Sequence, residues 1–169
     1  MSISIYQASV PVLIQGLDTL SHILRKGEEH ARTSSIDPQS LVDARLAPDM
    51  LTLAGQVQRA SDTSKLSVER LSGLPAPKME DTEKTFDDLH SRIQKTTAYI
   101  KGVTEAQLSG AETRRIELKL RDYNPVFSGT SYLFGFALPN FYFHVTTAYD
   151  ILRHRGVPLS KRDFLRLQG

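Results

Sequence analysis

Apolar residues recur at steps of three and four along most of this chain, and that period limits it to a fold built mainly from helices. In the first thirty residues one such stripe is formed by Tyr6, Val10, Leu13, Leu17, Leu20 and Leu24. Residues at this spacing share one face of an α-helix, so the segment predicts a first amphipathic helix. Pro11 lies within it and lacks the backbone N–H that an interior helical residue donates. We therefore expect a kink at Pro11, unless the helix begins after it.

Two more stripes predict a second and a third helix. The second begins at Asp49, ends at Gly73 and consists of Met50, Leu53, Val57, Ala60, Ser64, Val68 and Leu71. The third ends near Gly102 and consists of Phe86, Leu89, Ile93, Thr96, Ile100 and Val103. Asp81 and Glu83 predict an acidic first turn, which suits the positive end of the third helix. The segment SSIDPQSLVDARLAPD contains two prolines and predicts a connection with about one helical turn before the second helix.

The period changes between Arg115 and Phe136. Ile116, Leu118 and Leu120 alternate with charged residues, as in a half-buried strand. A turn at Asn124 and Pro125 and a second β-prone run over residues 130–134 follow. The sequence therefore predicts a short β-hairpin before the last helix.

The fourth helix is expected to open at Pro139, a residue suited to the first helical position, and to run to Arg155. Gly156 and Pro158 then end it. Amphipathic helices bury their stripes only by packing against one another. We expect an all-α fold, namely a four-helix bundle with a short β-hairpin inserted before the last helix. A chain of 169 residues is expected to form a single domain over residues 1–169.

Charge and composition exclude several classes of function. Twenty-one basic and nineteen acidic side chains leave a net charge of only +2, which does not favour nucleic-acid binding. The most basic segment is interpreted as a solvated terminus and contains Arg153, His154, Arg155, Lys161, Arg162 and Arg166. The absence of cysteine excludes disulfides and thiolate chemistry. No apolar stretch approaches the length of about eighteen residues that a membrane span requires, so we expect a cytoplasmic protein that does not bind membranes.

The histidines form no conventional metal motif, since no two of the five are spaced HxxxH or HxxH. At about 100° per residue, His144 falls on the shoulder of the apolar arc of the fourth helix. His90 occupies the same kind of position on the third helix. Two inward-leaning histidines on neighbouring helices would form a pocket pair. A histidine at the edge of an apolar stripe also commonly donates to a carbonyl or a buried hydroxyl, so both interpretations stay open.

No common catalytic motif is present. Neighbouring acid pairs such as Asp87 and Asp88 are too close along the chain to face one pocket jointly, and there is no Gly-rich phosphate loop, GxSxG elbow or HExxH stretch. Aromatic residues instead gather near the hairpin and the fourth helix. One helix cannot bury all of these rings, so Tyr142 or Phe143 must face the hairpin, a subunit partner or a ligand. A hairpin over the end of a bundle is a suitable place for an apolar small-molecule pocket.

The stretch LPNFYFHVTTAYDILRHRGVPLSKRDFL resembles a domain-of-unknown-function family within the DinB/YfiT-like group, whose members are regarded as metalloenzymes. Weaker markers are IYQASVPV near the start, ARLAPDM followed by Gln56 and Asp62, and EDTE at residues 80–83. The resemblance extends over nearly the whole chain. It implies an up-and-down four-helix bundle and a homodimer.

The resemblance also implies a divalent metal, because typical members carry one histidine on the second helix and an HxxxH pair on the fourth. His144 matches the first position of that pair, but Ala148 stands four residues later. The second helix offers only Gln56, Gln58 and Asp62 as oxygen donors. Catalytic zinc normally takes three protein ligands, and one histidine falls short of that number.

Three hypotheses about function follow. The first is a metal-independent pocket for a small molecule, without a cofactor, in which His144 supports proton transfer or lyase-type chemistry. Its catalytic residues would be His144 and Tyr149, and its pocket residues Gln56, His90, Asn140 and Thr147. The second is an enzyme with a weakly bound divalent ion, held by His144 together with Gln56, Asp62 or His90. The third is a non-enzymatic, dimeric interaction module with the aromatic cluster as its interface.

Overall fold

The computed structural model describes residues 3–120 and 122–167, which form a bundle of four long helices with smaller elements between them. The helices are α1 (Ile5–Thr33), α2 (Pro38–Val42), α3 (Leu53–Ser72), α4 (Phe86–Lys101), α5 (Gly129–Tyr132), α6 (Leu138–His154) and α7 (Lys161–Leu165). Two 3₁₀ turns (Glu105–Leu108 and Ala111–Thr113) and strands β1 (Ile116–Glu117) and β2 (Val126–Phe127) lie between α4 and α5. The long helices α1, α3, α4 and α6 are the four that the sequence predicts. Among the described helices, none is both long and apolar enough to cross a membrane.

Each long helix packs against two neighbours, in the order α1, α4, α3, α6 and back to α1. The contact between α3 and α6 is the most extensive of these. It is antiparallel, because Gln56 near the start of α3 bonds to His144, whereas Thr63, about two turns later in α3, bonds to Asn140, one turn earlier in α6. This contact therefore positions most of the predicted pocket residues.

Side-chain caps fix where these helices begin. The Thr52 hydroxyl accepts a hydrogen bond from the backbone N–H of Gly55 at 3.1 Å, so α3 begins at Leu53 rather than at Asp49. Helix α4 begins at Phe86 with a capping box formed by Thr85 and Asp88. The prediction that Asp81 and Glu83 form its first turn is wrong, because both precede the cap.

Helix α1 begins before Pro11 and continues through it, from Ile5 to Thr33. Ser4 forms a capping box with Gln7 at its start. The possibility that the helix begins after the proline is therefore wrong. Pro11 lies on the exposed side of the helix, whereas Val10 and Leu13 are buried.

The predicted hairpin is present but shorter than expected. Strands β1 and β2 pair antiparallel, with Ile116 opposite Phe127 and Glu117 opposite Val126. The predicted second strand over residues 130–134 is wrong, because this segment is helical. Ser128 caps it by accepting a hydrogen bond from the N–H of Ser131, and Tyr132 is fully buried. Capping and burial thus override the β-propensity of this run.

The fourth predicted helix is longer than expected, since Pro139 does not begin it. Helix α5 leads through a π-helical turn (Leu133–Ala137) directly into α6, with helical backbone angles at the junction residues Tyr132, Leu133, Ala137 and Leu138. Proline lacks an N–H and its ring crowds the carbonyl four residues earlier, which lies within the π-helical turn. The irregular turn therefore coincides with the place where the proline interrupts regular α-helical bonding.

Candidate functional site

His144 and Gln56 form a hydrogen-bonded pair across the contact between α6 and α3. The His144 Nδ1 and Gln56 Oε1 atoms are 2.7 Å apart. The amide nitrogen of Gln56 donates to the carbonyl of Leu51 at 3.4 Å, which turns the amide oxygen toward the imidazole. A carbonyl oxygen only accepts hydrogen bonds, so Nδ1 carries the proton and Nε2 carries the lone pair.

Burial and, to a smaller extent, the nearby Arg59 guanidinium together lower the pKa of His144 to about 4. The ring is therefore neutral near pH 7. Its Nε2 atom has no hydrogen-bond partner among the described residues, and it is not one of their fully buried polar atoms. An open lone pair on a neutral ring can accept a proton or a hydrogen bond from a bound molecule.

Asn140 and Thr147 lie on the same helix as His144 and are both held by local hydrogen bonds. The Asn140 amide nitrogen donates to the Thr63 hydroxyl on α3 at 2.9 Å. The Thr147 hydroxyl is buried and donates to the Phe143 carbonyl of its own helix at 2.7 Å. The structure thus brings the partly exposed His144 and Asn140 to one surface, with the buried Gln56 bonded to His144, and we call it the α3–α6 surface.

Tyr149 and His90 lie elsewhere. Tyr149 follows His144 by five residues, a rotation that turns it about 140° around the helix. Its ring packs edge-to-face on Phe164 of α7, with centroids 5.7 Å apart. His90 lies between α4 and α1, where its Nδ1 atom is 3.4 Å from the Ser21 hydroxyl. Neither residue is brought to the α3–α6 surface, and the roles predicted for them stay predictions.

His144 does not line the four best-defined cavities among the described residues. It lies instead partly exposed on the α3–α6 surface. Phe143 stands beside His144 with the two ring centroids 5.3 Å apart, and 55% of Phe143 is exposed. The prediction that Tyr142 or Phe143 faces something other than the core therefore applies to Phe143.

Residues 5–165 match the family model described as "Domain of unknown function (DUF1993)". The chain belongs to this family. Among solved structures, this DUF1993 protein is similar to a DinB family member protein from Shewanella denitrificans, at 37% sequence identity and a TM-score of 0.89. The match covers 96% of this chain and 92% of that one. The search of curated proteins gave no match. The resemblance to a DinB-like family of unknown function is confirmed, and with it the helical fold.

The residues of this DUF1993 protein do not fit the metal that the resemblance implies. Ala148 is fully buried and has no donor atom, and the Gln56 oxygen is already bonded to His144. Within residues 3–120 and 122–167, no three His, Asp or Glu side chains come together in a group that could hold a metal ion. The described site therefore lacks the ligand number that a catalytic metal requires.

Asp62, considered above as a metal ligand, belongs instead to a network of ion pairs between α3 and α4. Its Oδ1 atom lies 2.8 Å from Arg92 Nη2 and 2.9 Å from Lys65 Nζ. Arg92 also pairs with Glu83 at 3.0 Å and with Asp81 at 3.1 Å. Sequence analysis missed this network, although Arg92 lies three residues after Leu89 and four before Thr96, on the buried stripe of α4.

Proposed function

We propose that this DUF1993 protein binds a small organic molecule at the α3–α6 surface, with His144 as its contact and without a metal ion. The observation that supports this most directly is the hydrogen bond from His144 Nδ1 to Gln56 Oε1. It fixes the tautomer and directs the free lone pair of Nε2 outward, where it accepts a hydrogen bond from the bound molecule. The exposed Phe143 ring supplies an apolar contact next to it.

In the chemistry that we propose, Nε2 removes a proton from the bound molecule and returns it to the product, as in a proton-transfer or lyase reaction. Gln56 then stabilises the imidazolium through the Nδ1–H bond. Protonating a ring whose pKa is about 4 at pH 7 costs about 4 kcal/mol, since each pKa unit corresponds to about 1.4 kcal/mol. That cost is smaller than the barrier reductions that enzymes achieve, so the group is usable as a base.

Metal content tests the metal-independent part of the proposal. Protein purified without added metal is expected to contain far less than one equivalent of zinc, nickel or manganese by elemental analysis. The physical reason is the missing donor at Ala148 together with the occupied Gln56 oxygen. Stoichiometric metal that survives dialysis and is lost in His144→Ala would instead support the divalent-metal hypothesis.

Binding at His144 is tested by screening a small-molecule fragment library with ligand-observed NMR. The parent protein is compared with His144→Gln and with His154→Gln, which alters an exposed histidine of the same helix. We expect a set of fragments that bind the parent and His154→Gln but not His144→Gln. If no fragment distinguishes His144→Gln from the other two proteins, the proposed site is wrong.

A further inference from the structure

Two adjoining cavities lie at the N-terminal end of α1, away from the α3–α6 surface. Their volumes are about 420 Å³ and 380 Å³, within the range of cavities that hold small ligands. Both are lined by Ser4, Ile5 and Glu112, so they form one groove with two halves. We call it the α1 groove, and it shares no lining residue with the α3–α6 surface.

One half of the α1 groove is apolar. Ala8 and Val12 of α1 line it on one side, and Phe134 and Leu138 line it on the other. Phe134 belongs to the π-helical turn and is 55% exposed. Such turns are rare and frequently mark functional sites, because the widened turn reorients the side chains that it carries. This half offers an aromatic ring and aliphatic carbon to a ligand.

A close backbone contact holds the apolar half beside Glu112. Gly129 begins the helix that carries Phe134, and a Cβ atom at Gly129 would lie 1.8 Å from the carbonyl oxygen of Ala111. Only glycine permits this approach. The Thr130 hydroxyl also bonds to the Glu112 carbonyl at 3.4 Å. The position of Glu112 relative to Phe134 is therefore fixed by neighbouring backbone rather than by flexible side chains.

The other half of the groove is acidic. Glu105 accepts a hydrogen bond from the Ser4 hydroxyl at 2.7 Å, and Glu112 lines both halves. Neither carboxylate forms an ion pair with any residue of the described ranges, and the residues lining the two cavities include no Lys, Arg or His. The α1 N-terminus contributes about half a positive charge, which two carboxylates exceed. The field in this half therefore favours a cation.

We propose that the α1 groove binds an organic ammonium ion that has an apolar body. The ammonium group donates hydrogen bonds to Glu112 and Glu105, and the apolar body packs on Phe134 and Leu138. The negative half excludes carboxylates of the same shape, and a neutral alcohol gains only the apolar contact. This site is separate from the one proposed at His144, and the two proposals rest on different residues.

Three probes with the same ring test the proposal, because they differ chiefly in charge: 2-phenylethylammonium, 2-phenylethanol and 3-phenylpropionate. Each is titrated into ¹⁵N-labelled protein at low ionic strength, with the amide shifts followed by NMR. We expect the ammonium ion to bind about fivefold more tightly than the alcohol, and the carboxylate to bind most weakly. Added salt should weaken the binding of the ammonium ion and leave the binding of the alcohol unchanged.

Variants locate the binding site. Glu112→Gln is expected to bring the affinity for the ammonium ion down to that for the alcohol, and Glu105→Gln to lower it in part. Phe134→Ala should weaken the binding of both the ammonium ion and the alcohol. Glu28→Gln is the matched control, since it removes an exposed carboxylate of α1 that lies about 36 Å along the helix from Ser4. Glu105, Glu112 and Phe134 are exposed, so these variants keep the core intact.

Equal affinity for the ammonium ion and the alcohol would overturn the proposal. So would an unchanged affinity in Glu112→Gln, or shifts that map to the α3–α6 surface instead of the residues around Ser4 and Phe134. A loss of ammonium binding in Glu28→Gln equal to that in Glu112→Gln would show an effect of net charge alone and would also reject the site.

Discussion

At the level of single residues, burial determines the charge of His144 and hydrogen bonding determines its orientation. Burial penalises the charged ring and, with Arg59, lowers its pKa to about 4 from the ordinary value of 6.5. The Gln56 oxygen accepts the Nδ1–H in both the neutral and the charged state, so it holds the ring without neutralising that penalty. His144 is thus held in one orientation, as a catalytic or binding group would be, and it stays uncharged at physiological pH.

This lowered pKa predicts a dependence of stability on pH that His144→Gln should reduce. Between pH 6.5 and about 4, the unfolded chain binds a proton at His144 and the folded chain does not, so the free energy of unfolding falls as the pH falls. The variant lacks this contribution. Its loss of stability from pH 7 to pH 5, measured by urea denaturation, should be smaller than that of the parent by about 1 kcal/mol, allowing for partial exposure.

Asn140→Ala and Thr147→Ala serve as controls, because they alter the same helix and leave the histidine in place. The pKa of His90 is also lowered by burial, but this contribution is common to the parent and all three variants. At pH 7, His144→Gln should melt within a few degrees of the parent. If it melts much earlier than either control, the role of His144 is chiefly structural.

At the level of elements, the buried Arg92 joins α4 to α3 and to the connection that precedes α4. Its side chain is only 2% exposed and pairs with Asp62, Asp81 and Glu83. Arg92 Nη1 also donates to the Glu80 carbonyl at 3.0 Å. A chain segment without regular structure is thereby fixed to two helices by one guanidinium group.

Arg92→Met should therefore destabilise the protein by about 3 kcal/mol, because it leaves partly buried carboxylates without their main cation. Arg115→Ala is the matched control, since Arg115 is exposed and, among the described residues, pairs only with Glu117 at 3.2 Å. It should cost well under about 1 kcal/mol. Chemical denaturation of both variants measures the difference, and similar losses in the two would show that the network contributes little.

Replacing either of two glycines in the last long helical run by alanine should change the stability in opposite directions. Gly129→Ala places a Cβ atom against the Ala111 carbonyl oxygen and should destabilise the protein by about 1 to 3 kcal/mol. Apart from its chain neighbours and its own helical backbone, no atom of the described residues lies within 4 Å of a Cβ added at Gly135, so Gly135→Ala should be neutral or stabilise by up to about 1 kcal/mol. Thermal unfolding compares them, and a stabilising Gly129→Ala would contradict the close contact.

Apolar stripes predicted three of the long helices, and start and stop residues predicted the fourth, because both kinds of signal are local properties of the sequence. The run over residues 130–134 contains aromatic and β-branched residues that favour a strand, whereas the local cap at Ser128 and the burial of Tyr132 in the tertiary structure make it helical. For the site, helical rotation pointed to His144, and the family resemblance pointed to Gln56. The same rotation turns Tyr149 about 140° from His144, but it does not say which neighbouring helix either side chain meets. Arg92 was overlooked because a charge on an apolar stripe is usually solvated.

At the level of the whole molecule, the exposed apolar residues lie on more than one face. Phe143 and Leu51 lie near His144 and are 55% and 44% exposed, and Gln56 bonds to both His144 and the Leu51 carbonyl. Phe134 and Ile3 belong to the α1 groove. Exposed aromatic side chains are frequent anchors of protein interfaces. We therefore expect a second copy of the chain to pack at the Phe143 edge of the α3–α6 surface, beside the proposed contact at His144.

The homodimer remains a prediction, and light scattering coupled to size exclusion tests it. At tens of micromolar we expect a mass of twice the 18.9 kDa of the chain.

Specific interfaces bury about 800 Å² per partner, and such a surface needs an apolar centre that Phe143 can supply. Phe143→Ser should then shift the protein toward the monomer mass, because the substitution removes that centre. Phe134→Ser, which alters an equally exposed ring on another face, should leave the mass unchanged. A monomer mass for the parent would contradict the dimer, and monomers produced only by Phe134→Ser would move the interface to the α1 groove.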